Sequence, residues 1–89
     1  MTPRFEMGFL GITPGAQEAI PMEEVQEALH RHVTGDWGDV CKEDAQQNEW
    51  ALKNEARLLS SYKSKDGEAF WIITEADRSS TTILLPSEY

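Results

Sequence analysis

The apolar positions follow a helical period in the first half of the chain and a strand texture in the second. Met22, Val25, Leu29 and Val33 recur at spacings of 3, 4 and 4, one stripe of a 3.6-residue repeat, which predicts a helix over Met22–Val33. Glu23 and Glu24 lie in its first turn and His30, Arg31 and His32 in its last, as the helix dipole favours. Thr34-Gly35 ends it. A second helix is expected near Lys42 to Lys53, opened by Asp39 or a neighbour. Its apolar side is Cys41, Ala45, Leu52 and Ala56, with Asn48 near that side and Trp50 roughly opposite. From Arg57 onward β-branched and aromatic residues dominate. "ARLLSSYKS" and "EAFWIITEA" flank Lys65-Asp66-Gly67-Glu68, a hairpin signal. "DRSS" makes a second turn, and "TTILLP" a third strand that Pro86 ends. At the other end of the chain, Phe5 to Ile12 reads as an edge strand. Thr13 is an N-cap and Pro14 the first residue of a helix that Gly15 keeps to a turn or two. Pro21 restarts the chain.

These elements predict an α+β fold: an antiparallel β-sheet, made of a three-strand C-terminal meander plus an N-terminal edge strand, with two to three helices on one face. The 89 residues suit one domain spanning 1–89. No apolar run approaches the ~18–20 residues of a membrane span, and charge and Gly interrupt the N-terminus where a secretory signal would need an apolar run. The lone cysteine, Cys41, permits no intrachain disulfide. The expected setting is cytoplasmic: bacterial, or host cytosol for a phage-encoded chain.

Charge sharpens the picture. The net charge is −8, and residues 1–50 hold ten acids against three bases, whereas residues 51–89 hold six against five. The excess therefore sits on the helical half. Such a surface repels nucleic acid and attracts a protein partner with a basic surface.

The densest polar stretch is "RHVTGDWGDV", Arg31 to Val40. Metal ligation is disfavoured, because His30 and His32 point about 200° apart on a helix, and no metal or cofactor is expected. A Cys41–His32 nucleophilic pair is disfavoured because Cys41 falls on an apolar stripe. The acids Asp36, Asp39 and Asp44 suit helix starts and turns better than a carboxylate pair. The stretch reads first as a structural turn. Gly35 and Gly38 reverse the chain, Asp36 and Asp39 accept backbone N–H bonds, Trp37 plugs the corner between helices and sheet, and His32 bonds a backbone carbonyl. In "TEADRSS", an internal Asp–Arg or Glu–Arg pair steadying the hairpin competes with a recognition loop.

The stretches "TPGA", "HVTGDWGDV", Asp44 and Asn48, "ARLLSSY" and "WIITEADRSSTTILLPSEY" together resemble a widespread family of small bacterial "plasmid-related" proteins found on plasmids and phage-like elements, which has no settled function. The resemblance covers Thr13 to Tyr89 and implies a mobile-element context. Trp50 departs from the family pattern. The matched polar residues suggest one buried network, with Asn48 under the sheet and Asp77, Arg78 and His32 as its partners.

The leading functional expectation is a small acidic mobile-element protein that acts by protein–protein binding, inhibiting a host defence complex of the restriction or CRISPR type. Its contact residues would be Trp50, Glu43, Glu49, Asp36 and Asp39, with Gln46 and Gln47 beside the tryptophan. An alternative is a small hydrolase or nuclease using His32, Asp36, Asp77 and Arg78. A homodimer joined sheet edge to sheet edge is a third reading.

Overall fold

The computed structural model describes residues 2–89. Its elements run β1 (Phe9–Ile12), α1 (Pro14–Ala19), α2 (Met22–Val33), α3 (Lys42–Asn54), β2 (Leu58–Lys63), β3 (Ala69–Thr74) and β4 (Ser80–Leu84), with a closing 3₁₀ turn at Pro86–Glu88. The fold is α+β, as the patterning predicts. The sheet is mixed, in the order β1-β4-β3-β2, rather than wholly antiparallel. β2, β3 and β4 form the expected meander, but β1 joins β4 in parallel. The helices intervene between β1 and the meander, so the chain can re-enter the sheet in β1's own direction. Patterning does not encode that choice.

Helix boundaries follow local chemistry. Thr13 caps α1 by accepting from the Ala16 N–H, and Pro14 stands at the first helical position. Gly15 has a reason beyond helix propensity. A Cβ there would lie 2.6 Å from a Glu88 carboxylate oxygen, because Glu88 accepts from the Gly15 N–H at 3.1 Å and from the Thr13 hydroxyl. The C-terminal turn thus closes onto the start of α1. Cys41 is exposed and extended, one residue before α3, so it does not belong to the apolar stripe assigned to it. Met22 is likewise exposed at the start of α2, while Val25, Ala28, His32 and Val33 face the core.

The core lies between the sheet and a single helical layer. Ala16, Ile20, Val25 and Ala28 pack on Tyr62, Phe70, Ile72 and Ile83. Trp37, Ala51 and Leu58 form a second centre, covered by Phe5, Val40 and Leu52. Trp37 is therefore the expected corner plug. Gly35 and Gly38 take positive φ in the turn before it and after it. At Gly38 a Cβ would collide with the Ser61 carbonyl oxygen, so only glycine permits this close approach.

That approach seals one sheet edge. Ser61 donates its N–H to the Trp37 carbonyl (3.1 Å), and its own carbonyl accepts from the Asp39 N–H (2.7 Å). Two residues earlier on β2, buried Asn48 donates to the Leu59 carbonyl at 2.7 Å and accepts from the Leu59 N–H at 3.1 Å. Asn48 does sit against the sheet, but its partner is the backbone of β2 rather than Asp77, Arg78 or His32. A side-chain amide offers one donor and one acceptor, which is what an unpaired strand residue presents.

Asn48→Ala would leave both Leu59 backbone groups without partners. The expected loss is about 2–3 kcal/mol of stability, read by urea denaturation with an unchanged m-value.

Candidate functional site: a buried histidine network and an exposed tryptophan face

The residues proposed for chemistry separate into distinct local arrangements. His32 is fully buried. Its Nδ1 faces the Ser60 hydroxyl on β2, and its Nε2 lies 2.9 Å from the Thr74 hydroxyl on β3. Thr74 continues to Thr81 on β4 at 2.7 Å, and Thr81 donates to the Met7 carbonyl at 2.8 Å. His32 therefore bonds side-chain hydroxyls and not the expected backbone carbonyl. The strand register explains the row: Thr74 and Thr81 are direct cross-strand partners, and Ser60 shares their helix-facing side.

The end of this chain sets every proton in it. A carbonyl only accepts, so Thr81 spends its hydrogen on Met7 and must accept from Thr74. Thr74 then has no hydrogen left for His32, so Nε2 carries the proton and donates to it. Nδ1 of the neutral ring is the acceptor for the Ser60 hydroxyl. Burial, reinforced by the positive charge of Arg78, pushes the His32 pKa down from 6.5 to about 4, which keeps the ring neutral. Phe5 meets the ring edge-on at a centroid distance of 5.1 Å and Trp37 at 5.9 Å, closing the site from above. The N-terminal stretch expected as one strand thus divides: Phe5 and Met7 strap the histidine, and only Phe9–Ile12 joins the sheet.

Asp36 is exposed and held by Arg31 through two bonds of 2.8 and 3.2 Å. That pairing lowers its pKa, with help from the Gly38 N–H. The Asp36 carbonyl accepts from Tyr62 at 2.7 Å, so the turn is tied to β2. Asp77 caps its own turn by accepting from the Ser79 N–H. Arg78 has a left-handed backbone, φ 61°. Its guanidinium donates to the carbonyls of Ala56 (2.7 Å), Ala51 (3.1 Å), Glu75 and Ala76. It thereby caps the C-terminal end of α3, where a cation is favoured. The pair expected to steady this hairpin is replaced by those carbonyl bonds and by a long Arg57–Glu75 contact of 4.0 Å.

Among the described residues no hydrogen bond joins any two of His32, Asp36, Asp77 and Arg78. Instead of the single buried network expected, these residues sit in four separate arrangements, of which only that of His32 is fully buried. They do not form an open catalytic cleft: the imidazole is sealed, and the arginine is occupied by backbone. Among the described residues no group of His, Cys, Asp and Glu is placed to hold a metal ion.

The proposed contact residues also divide. Glu49 is bound by Arg4 at 2.9 and 3.1 Å and accepts from the Trp37 indole at 3.0 Å. The Arg4 bonds, chiefly, hold its carboxyl below the usual carboxylate range. Glu49 therefore anchors the N-terminal strap. Trp50, the next residue, points elsewhere and is 52% exposed. It lines a shallow open concavity with Glu43, Gln46 and Gln47 on the outer side of α3. Asp39 is exposed at the turn before that helix.

No protein-family model, curated protein or solved structure matches the chain. Among the described residues no helix is long and apolar enough to cross a membrane.

Keeping His32 neutral carries a pH signature. The unfolded ring takes up a proton below about pH 6.5 and the folded ring only near 4. The stability is intact above 6.5 and falls as pH drops toward 4, by up to about 3 kcal/mol. Urea midpoints measured between pH 7 and 4.5 should show this slope, and His32→Gln should remove most of it, leaving a smaller contribution from Asp36 and Glu49 near the acid end. Nitrogen-15 spectra at neutral pH should show the Nε2-protonated tautomer.

Proposed function

We propose that this chain acts by binding another protein through the outer side of α3, with Trp50 as an apolar anchor inside an acidic, amide-rich surface. One observation carries the reading: Trp50 stands exposed beside Glu43, Gln46 and Gln47, although its neighbour Glu49 is committed to internal bonds. Trp50 belongs to neither core cluster and exposes half its surface, and tryptophan is strongly enriched among residues that dominate binding energy. Glu43 and Asp44 lie in the first turn of the helix, and Asp39 extends the acidic surface before it. The charge complement is a basic surface, and encounter with it is accelerated electrostatically. Asp36 and Glu49 already neutralise arginines of this chain, so they contribute less to that field than Glu43 and Asp39.

The partner class follows from the charge and from the resemblance to mobile-element proteins. Complexes that handle nucleic acid carry basic grooves, and an acidic protein seated in one excludes the nucleic acid. A host defence complex of the restriction or CRISPR type is the proposed target, and occlusion is the proposed mechanism. No catalytic step is needed for it.

The test is capture from bacterial lysate with wild-type protein and with Trp50→Ala and Glu43→Lys. A genuine target should bind wild type, weaken at least about tenfold with either substitution, and release as salt rises. Both variants should melt like wild type, because neither side chain supports the core. A set of captured proteins indifferent to salt and to both substitutions would overturn the reading.

A further inference from the structure

The two edges of the sheet are treated in opposite ways. On β2 the outward peptide groups at Leu59 and Ser61 are matched by Asn48 and by the Trp37–Asp39 turn, and the strand ends in Lys63. On β1 the bonds from the Phe9 N–H to Ser79 and from the Thr13 N–H to Ile83 mark the residues that face β4. Strand alternation then turns the N–H and C=O groups of Leu10 and Ile12 outward, and among the described residues nothing pairs with them. Edge strands are normally blunted by charge, proline, a bulge or a covering loop. β1 is short, at four residues, but it carries no charge, proline or bulge. It presents Phe9 at 84% exposure and Leu10 at 55%, and α2 adds Met22 at 51%. A groove of about 190 Å³ between β1 and α2 is lined by Leu10, Ile12, Met22, Val25 and Leu29.

The charge around this edge selects its occupant. The chain carries 24 charged residues among 89, the sum of 8 basic and 16 acidic, yet none falls between Met7 and Gln17. Met22, Gln26 and Leu29, at helical spacing on α2, are uncharged as well. A basic partner would be drawn to the acidic helices rather than to this neutral strip. The surface that complements an uncharged apolar strand edge is another uncharged apolar strand edge, and this chain supplies one. Two copies can meet here despite a net charge of −8 each, because the paired segment itself carries no charged side chain and the adjacent Glu88 carboxylate is already held by Thr13 and Gly15.

We propose that this edge binds a second copy of the chain, β1 against β1 in antiparallel register about a two-fold axis at Gly11. With Gly11 opposite Gly11, Leu10 of one copy faces Ile12 of the other, and each such pair exchanges two backbone hydrogen bonds. Gly11 occupies the closely spaced position between them. Pairing in this sense continues the sheet with both helical layers on the same side. The Met22–Leu29 stripes then close over the axis and cover the Leu10 side chains. The contact is isologous and self-limiting, since the β2 edge is sealed. It is independent of the partner surface on α3.

The full chain tests this directly. Sedimentation equilibrium over a concentration series reaching about 200 µM should give twice the 10.1 kDa chain mass. Leu10→Lys, an exposed change that places a cation on each side of the axis, should weaken association at least about tenfold with an unchanged melting temperature. Trp50→Ala should leave the mass at the dimer value, which separates this proposal from the reading of α3. Register has its own probe. A Cβ at Gly11 meets nothing within 4 Å, and closely spaced antiparallel partners fall within disulfide reach. Gly11→Cys in a Cys41→Ser background should therefore cross-link on mild oxidation at least about tenfold faster than wild type does through exposed Cys41. A monomer throughout the series, a dimer indifferent to Leu10→Lys, or a dimer that Gly11→Cys fails to trap would each overturn the proposal.

Discussion

One imidazole holds the layers of this molecule in register. His32 leaves α2 from inside the core and reaches β2 through Ser60 and β3 through Thr74. Through Thr74 and Thr81 it reaches β4 and the backbone of the N-terminal strap. A small domain with a single helical layer buries little surface per residue, so apolar packing alone specifies the placement of that layer weakly. A directional chain of hydrogen bonds adds what packing lacks. Each hydroxyl has one hydrogen to give, and the chain ends on a carbonyl that cannot give any. Only one arrangement of protons, and one position of the helix over the sheet, satisfies every member. All buried side-chain polar atoms among the described residues have partners, which is the condition under which such a network stabilises rather than costs.

The remaining polar motifs do the same kind of work at the periphery. Arg31 and Asp36 lock the turn after α2, with the Arg31 guanidinium 4.7 Å from the Tyr62 ring centroid. Arg78 holds the β3–β4 turn to the end of α3 by collecting carbonyl oxygens. Glu88 returns from the C-terminal turn to cap α1. The motif-rich stretches that look like a reaction centre when read in one dimension are therefore clasps. Each joins segments far apart in the chain, and each satisfies backbone groups that would otherwise be orphaned at helix ends and turns.

With those residues accounted for, what is left unsatisfied lies on the surface, in two places of contrasting chemistry. The outer side of α3 is acidic, with a solvent-exposed indole. The free side of β1 is uncharged, with exposed apolar side chains and open peptide groups. Both lie off the buried network, so they can be occupied or altered without disturbing it. The first suits a partner of opposite charge and the second suits a like surface. If both proposals hold, a protein this small presents two independent contacts without a cleft.

Much of this was legible in the chain itself, and for identifiable reasons. The α2 limits, the Thr13-Pro14 helix start, the meander and the Trp37 plug all depend on periodicity, caps and turn chemistry within a few residues. Such signals are local, and tertiary context only had to agree with them. The parallel placement of β1, the exposure of Cys41 and Met22, the pairing of Asn48 with Leu59 and the hydroxyl partners of His32 were not legible. Each depends on which strand or strap arrives from elsewhere in the chain. The polar candidates show the division most clearly. Residue type indicates that His32, Asn48 and Arg78 need partners, because a buried polar group without one is costly. Only the register of the sheet decided that those partners would be two hydroxyls, a strand backbone and the end of a helix.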